Sequence, residues 1–191
     1  MIKAGRPGPE RLGAFSDGVI AIIITIMVLD LHPPHGGGWR ALAALWPTFA
    51  GYFLSYFIVA LVWVNHHHLL RYCEVADGKV IWSNIGLLFV VSLIPFFTAY
   101  MSENRMSAFS TALYAGIFLL LTLSFILFLA VVSRQLEDEE SRAESRGAML
   151  RNCIVAAVYL VAIPAAYVHA GVSLGLMIAN ALVYVVPNAF R

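Results

Sequence analysis

The chain has 191 residues, 61% of them hydrophobic and only 12% charged, with a mean hydropathy of +0.82. Soluble domains carry roughly a quarter of their residues as charges, so this composition excludes a water-soluble globule and indicates an all-α protein embedded in the lipid bilayer. The formal net charge of +1 matters less than where the charges fall, and no nucleic-acid partner is expected.

Six segments hold the roughly 20 mostly apolar residues that one spanning helix requires. They cover about 13–31, 41–64, 80–101, 109–132, 149–169 and 172–190, in one domain over 1–191. The N-terminal MIKAGRPGPERLGAF carries basic residues, but no small-residue cleavage site follows, so the first apolar run is read as a retained helix. Linkers LHPPHGGGWR, HHHLLRYCEVADGK, SENRMSA and SRQLEDEESRAESRG separate the first five segments, and the tight HAGVS turn joins the last two. The charged fourth linker is able to continue as helix beyond the lipid. Six spans place both ends on one side. That side then holds Lys3, Arg6, Arg11, Arg71, Lys79, Arg134, Arg142, Arg146, Arg151 and Arg191, against Arg40 and Arg105 on the other. Excess Lys and Arg mark the cytoplasmic face, so both termini are expected in the cytoplasm of a multi-pass protein of the cytoplasmic membrane.

The first segment reads RLGAFSDGVIAIIITIMVLDL. Arg11 near its start can snorkel to the surface. Asp17 lies deeper and needs an Arg, His or Asn partner to stay ionised; a structural clamp and direct ion binding are both open readings. At 100° per residue Ile22, Thr25, Ile26 and Leu29 share one face, suited to helix packing or to lining a constriction that gates by dewetting. Thr25 can place its hydroxyl on the carbonyl four residues back. Asp30 either gathers cations at a mouth or marks where the helix leaves the lipid.

The second segment ends in WVNHHHLLRY. Consecutive His66, His67 and His68 point 100° apart, so they do not converge on one metal ion; at least one should face the bundle, with Asp17 as a conceivable partner. Asn84 at the start of the third segment is a second candidate partner. Asn180 in the sixth must bond within protein, and Pro95, Pro164 and Pro187 can each kink a helix. Cys73 and Cys153 are too few and too distant for a disulfide framework or a metal knuckle. No HExxH, Gly-rich nucleotide loop or thiol with a base at motif spacing occurs. Ser16, Asp17 and a histidine do not make a triad, since adjacent Ser and Asp diverge by 100° and nothing supplies an oxyanion hole. An enzyme is not expected.

Arg11, three residues, then Phe15-Ser16-Asp17-Gly18 resembles the RxxxFSDG signature of the transmembrane protein 175 family, the potassium-permeable channels of lysosomes and bacteria. Trp63-x-x-His66, Asn84 and Pro95-Phe96 are similar to its other recurrent features, and the likeness covers the whole chain. The resemblance implies one six-span unit per chain, assembled as a homotetramer around a pathway lined by helix one. It implies that Ile22 is the principal constriction, with Leu29 and Ile26 narrowing the path further and Thr25 near the potassium ion in transit. It implies that Arg11, Ser16, Asp17, His66 and Asn84 form a polar network that holds helix one, rather than coordinating the ion. No cofactor is implied beyond K+ as the permeant ion. No TVGYG-like carbonyl filter is present. The competing expectations are a proton-coupled secondary transporter working through Asp17, Asp30 or a histidine, and a non-transporting membrane scaffold.

Overall fold

The computed structural model describes residues 8–185; Lys3, Arg6, Pro187 and Arg191 lie outside them. Every regular element among these residues is helical. Helix α1 (Pro9–Ile26) opens on a proline, whose fixed φ and missing N–H suit a first turn, and tightens into a 3-10 turn over Met27–Asp30. A short α2 (Trp39–Ala43) follows the glycine-rich linker. Then come α3 (Trp46–Leu70), α4 (Gly78–Glu103), α5 (Ala108–Val132), α6 (Glu139–Val168) and α7 (Ala170–Val185).

Sequence chemistry sets the helix ends. The Asp77 carboxylate accepts from Val80 N at 2.9 Å to start α4, and the Asp138 carboxylate accepts from Ser141 N at 2.7 Å to start α6. No breaker interrupts WVNHHHLL, so α3 carries all three histidines and the following loop shrinks to 71–77. Gln135, just past α5, pins that loop. Its Oε1 accepts from Glu74 N and Val75 N at 3.1 Å, and its Nε2 donates to Val75 O at 2.9 Å. Pro95 and Pro164 both remain inside continuous helices.

Helix α5 is the centre of the bundle and packs extensively on α4 and α6. Its Tyr114, Phe118 and Phe128 are fully buried. Helices α3, α4 and α5 are fastened by three hydroxyls: Ser55 Oγ lies 2.7 Å from Thr98 Oγ1 and 2.6 Å from Tyr114 Oη, while Thr98 donates to Ile94 O. Beside this knot α3 comes close to α4 at Gly51, where a Cβ would stand 3.0 Å from Met101 Cε and 3.2 Å from Ser102 Oγ.

The expectation of six spans is corrected. Among the described residues five helices are long and apolar enough to cross a membrane: Pro9–Asp30, Trp46–Leu70, Gly78–Glu103, Ala108–Gln135 and Glu139–Val168. In the last segment the described residues contribute the shorter apolar helix Ala170–Leu182, which is not among these five. The reading that put both termini on the cytoplasmic side rested on a sixth span and falls with it.

The turn from α4 to α5 carries strain. Arg105 (φ 49) and Met106 (φ 54) are left-handed, and Met106 N donates to Met101 O while Arg105 N donates to Ser102 O, both at 3.0 Å. This is the Schellman pairing, in which glycine usually takes the place that Arg105 holds here. Arg105→Gly is expected to stabilise the protein by about 1 kcal/mol, because a side chain in the left-handed region costs about that much. Thermal unfolding in detergent measures it, and a lowered midpoint would contradict the strain.

Candidate functional site

Helix α1 separates its residues onto two opposite faces. Ser16, Ile20, Ile23 and Met27, spaced four, three and four apart, are buried against the bundle. Ile22, Thr25, Ile26 and Leu29 point away from it; Ile22 is 57% exposed, Ile26 46% and Leu29 70%. Gly18 and Ala21 are exposed on the same side. Thr25 Oγ1 lies within donating distance of Ala21 O (3.0 Å) and Ile22 O (2.9 Å), so its proton is held by the helix and its lone pairs face outward.

On the buried side, near the start of α1, a hydrogen-bond chain crosses three helices. His66 of α3 places Nε2 2.7 Å from Asn84 Oδ1 of α4, Asn84 Nδ2 donates to Ser16 Oγ of α1 at 2.9 Å, and Ser16 Oγ donates to Leu12 O at 2.8 Å. His66, Asn84 and Ser16 are all fully buried. The chain has one direction. Ser16 uses its only proton on a carbonyl, so it must accept from the Asn84 amide; the Asn84 oxygen must then accept from His66, which carries its proton on Nε2. The His66 ring stacks on Phe128 of α5 with centroids 5.3 Å apart and planes at 15°.

Asp17, 100° round the helix from Ser16, turns toward α3. Its Oδ1 accepts from Trp63 Nε1 at 2.8 Å. The sequence expectation of an Arg, His or Asn partner therefore gives way to an indole. Arg11 is exposed and forms no hydrogen bond or ion pair with any described residue. Six residues separate it from Asp17, which leaves the two side chains about 120° apart around the helix, so the structure does not bring Arg11 into the cluster. His67 and His68 are exposed; His67 Nε2 lies 3.2 Å from Arg71 Nη2, and its ring is near that of Trp63.

Asp30 ends the 3-10 turn, and His32 Nδ1 lies 3.1 Å from its carbonyl. With His32, Tyr52 and Glu103 it borders an open cleft of about 650 Å³. Among the described residues no group of three or more His, Cys, Asp or Glu is placed to hold a metal ion.

Sequence reasoning missed the role of Trp63 as the Asp17 donor and that of Phe128 as the platform under His66. The first had a signal: Trp63 is one turn before His67 at the level of the cluster. The second had none, since Phe128 lies within the apolar run FILFLAVV that ends α5. Asn84→Leu strands the His66 Nε2 proton in a dry interior and is expected to cost about 1–3 kcal/mol. Trp63→Phe, at a half-exposed position, is expected to cost less, about 0.5–1.5 kcal/mol. Thermal midpoints of the two variants against the parent check the order.

Residues 11–95 match the family described as the endosomal/lysosomal potassium channel TMEM175. The chain is 34% identical over 179 residues to a potassium channel of Chryseobacterium sp. (strain P1-3), covering 93% of each. It superimposes with a TM-score of 0.85 on the crystal structure of a lysosomal potassium-selective channel TMEM175 homolog from Chamaesiphon minutus, at 27% identity over 93% of this chain and 96% of that one. The Homo sapiens endosomal/lysosomal proton channel TMEM175 is 35% identical over 96 residues, which is 44% of this chain and 18% of that protein. Ser16, Asp17, His66 and Asn84 all fall inside the segment that matches the family, and the chain belongs to the TMEM175 potassium-channel family.

Proposed function

We propose that this multi-pass membrane protein is a potassium channel, passing K+ passively down its electrochemical gradient. Its relatives over nearly the full chain are named potassium channels, and as a member of a channel family it is a transport protein rather than an enzyme. In finer detail, the protein assembles as a homotetramer with the 22–29 face of α1 turned toward a shared pathway. The observation that carries this reading is the division of α1. One face is locked into the bundle, while Ile22, Thr25, Ile26 and Leu29 on the other are left uncovered by their own chain.

Symmetry gives that uncovered face its chemistry. Fourfold assembly converts one Ile22 into a ring of four, and an apolar ring of small radius excludes water and therefore ions. Leu29 and Ile26 add further apolar narrowing. Thr25, between them, supplies four outward lone-pair oxygens to a passing cation, with no proton aimed at it. Ser16, Asp17, His66 and Asn84 then act at a distance from the ion, by fixing the rotation of α1 that aims this face.

Potassium flux into liposomes, with a parallel proton-flux arm, tests the reading. Reconstituted protein is expected to pass K+ without a coupled ion, and proton flux with no K+ flux would overturn the assignment. Ile22→Asn is expected to raise resting K+ flux roughly tenfold, as for a barrier lowered by about 1.4 kcal/mol. An unchanged flux in a folded, tetrameric variant would remove Ile22 from the gate. Crosslinked species that stop at a monomer would remove the shared pathway.

A further inference from the structure

A second site lies away from α1, where α3, α5, α6 and α7 meet. A cleft opens between them, walled by apolar side chains such as Leu61, Val62 and Phe125. Three carboxamides from three different helices border it: Asn65 of α3, Asn152 of α6 and Asn180 of α7, with Thr122 of α5 beside them. Among the described residues of its lining there is no Asp, Glu, Lys, Arg or His.

Each amide uses one N–H on a backbone carbonyl: Asn65 Nδ2 on Leu61 O at 2.7 Å, Asn152 Nδ2 on Ala148 O at 2.9 Å, and Asn180 Nδ2 on Val155 O at 3.5 Å. Because only the amide nitrogen can donate to a carbonyl, these bonds also settle which end of each carboxamide is which. What remains on each is an oxygen and a second N–H. The oxygens of Asn152 and Asn180 accept from no described residue, and both side chains border the cleft. Three carboxamides converging from separate helices, with Thr122 and Tyr159 beside them, into a mostly apolar cleft are the usual makeup of a small-molecule site.

The geometry points to this cleft as a binding site for an uncharged, hydroxyl-bearing lipid, such as an acylglycerol, entering from the bilayer. A hydroxyl both donates and accepts, so it satisfies an amide oxygen and an amide N–H together. An ether or ester oxygen only accepts, and would leave the Asn152 and Asn180 oxygens without a donor. A charged headgroup would sit in low dielectric with no counter-charge in the lining, which is strongly unfavourable. The acyl chain is matched by the apolar walls, which pass through partly exposed Leu61, Val62 and Val155 toward the helix surface. The proposal does not depend on conduction.

Photolabelling tests it on the full chain in phosphatidylcholine nanodiscs, with a diazirine-bearing 1-monoacylglycerol as probe and peptide mass spectrometry as readout. Labelled peptides are expected from the cleft-bordering parts of α3, α5, α6 and α7. Unlabelled 1-monooleoylglycerol is expected to compete about fivefold better than its dimethyl ether, the effect of one hydrogen bond. Asn180→Leu is expected to reduce labelling by a similar factor. Ala181→Phe, which keeps every carboxamide but fills the cleft, is expected to abolish it. Equal competition by alcohol and ether, labelling undiminished in Ala181→Phe, or no labelling above lipid-exposed background would each overturn the proposal; the last would leave the cleft to water.

Discussion

A hydrogen bond inside a membrane protein has no water waiting to replace it, and that constraint organises this molecule around Ser16, Asn84 and His66. Each of the three is fully buried. Each comes from a different helix, and each needs the next to avoid an unpaired polar atom in a medium where that costs several kcal/mol. Sliding α1 along its axis or turning it by one residue would strand all three at once. The polar chain therefore specifies a single rotation of α1, which apolar contacts among Ile20, Ile23 and Met27 alone would leave less sharply defined. The face carrying Ile22 and Leu29 is aimed by residues that do not lie on it.

The polar groups fall into separate clusters, each at a meeting point of three or more helices. The Ser55, Thr98 and Tyr114 hydroxyls join α3, α4 and α5. The Ser16 chain joins α1, α3 and α4. The Asn65, Asn152 and Asn180 carboxamides gather where α3, α5, α6 and α7 come together, but bond only to backbone carbonyls. The first two clusters link side chain to side chain across helices and behave as fastenings, although His66 Nδ1 is buried with no hydrogen-bond partner among the described residues. The third has no side-chain to side-chain bond among the described residues, so its carboxamides are not tied to one another across the helices.

Much of the architecture is legible in the sequence because lipid simplifies the code. Long apolar runs read directly as helices, and the spacing of Ile22, Thr25 and Leu29 is enough to put them on one face. The limits are equally physical. Hydropathy counts apolar residues over 172–190 without regard to continuous helix length, and the described part of that segment contributes only the shorter apolar helix Ala170–Leu182. The family resemblance names Arg11 for the polar network, and within one chain it stands about 120° round the helix from Asp17. Trp63 is easily overlooked as a donor because an indole near a membrane surface reads first as an interfacial anchor. Phe128 has no distinguishing mark, since stacking beneath His66 depends on tertiary packing that a run of Phe, Leu and Ile does not encode.

The two ends of α1 are held by different means. Near its start the helix is gripped by directional bonds from Asn84 and Trp63. Toward its finish it relies on Met27 set into the core and a 3-10 turn, whose hydrogen bonds are poorer in geometry than those of an α-helix. The helix is thus anchored along its length, by directional bonds at one end and by the packing of Ile20, Ile23 and Met27 beyond it. Directional bonds fix a rotation, whereas apolar packing fixes a separation, so the two ends of α1 constrain different degrees of freedom of the same helix.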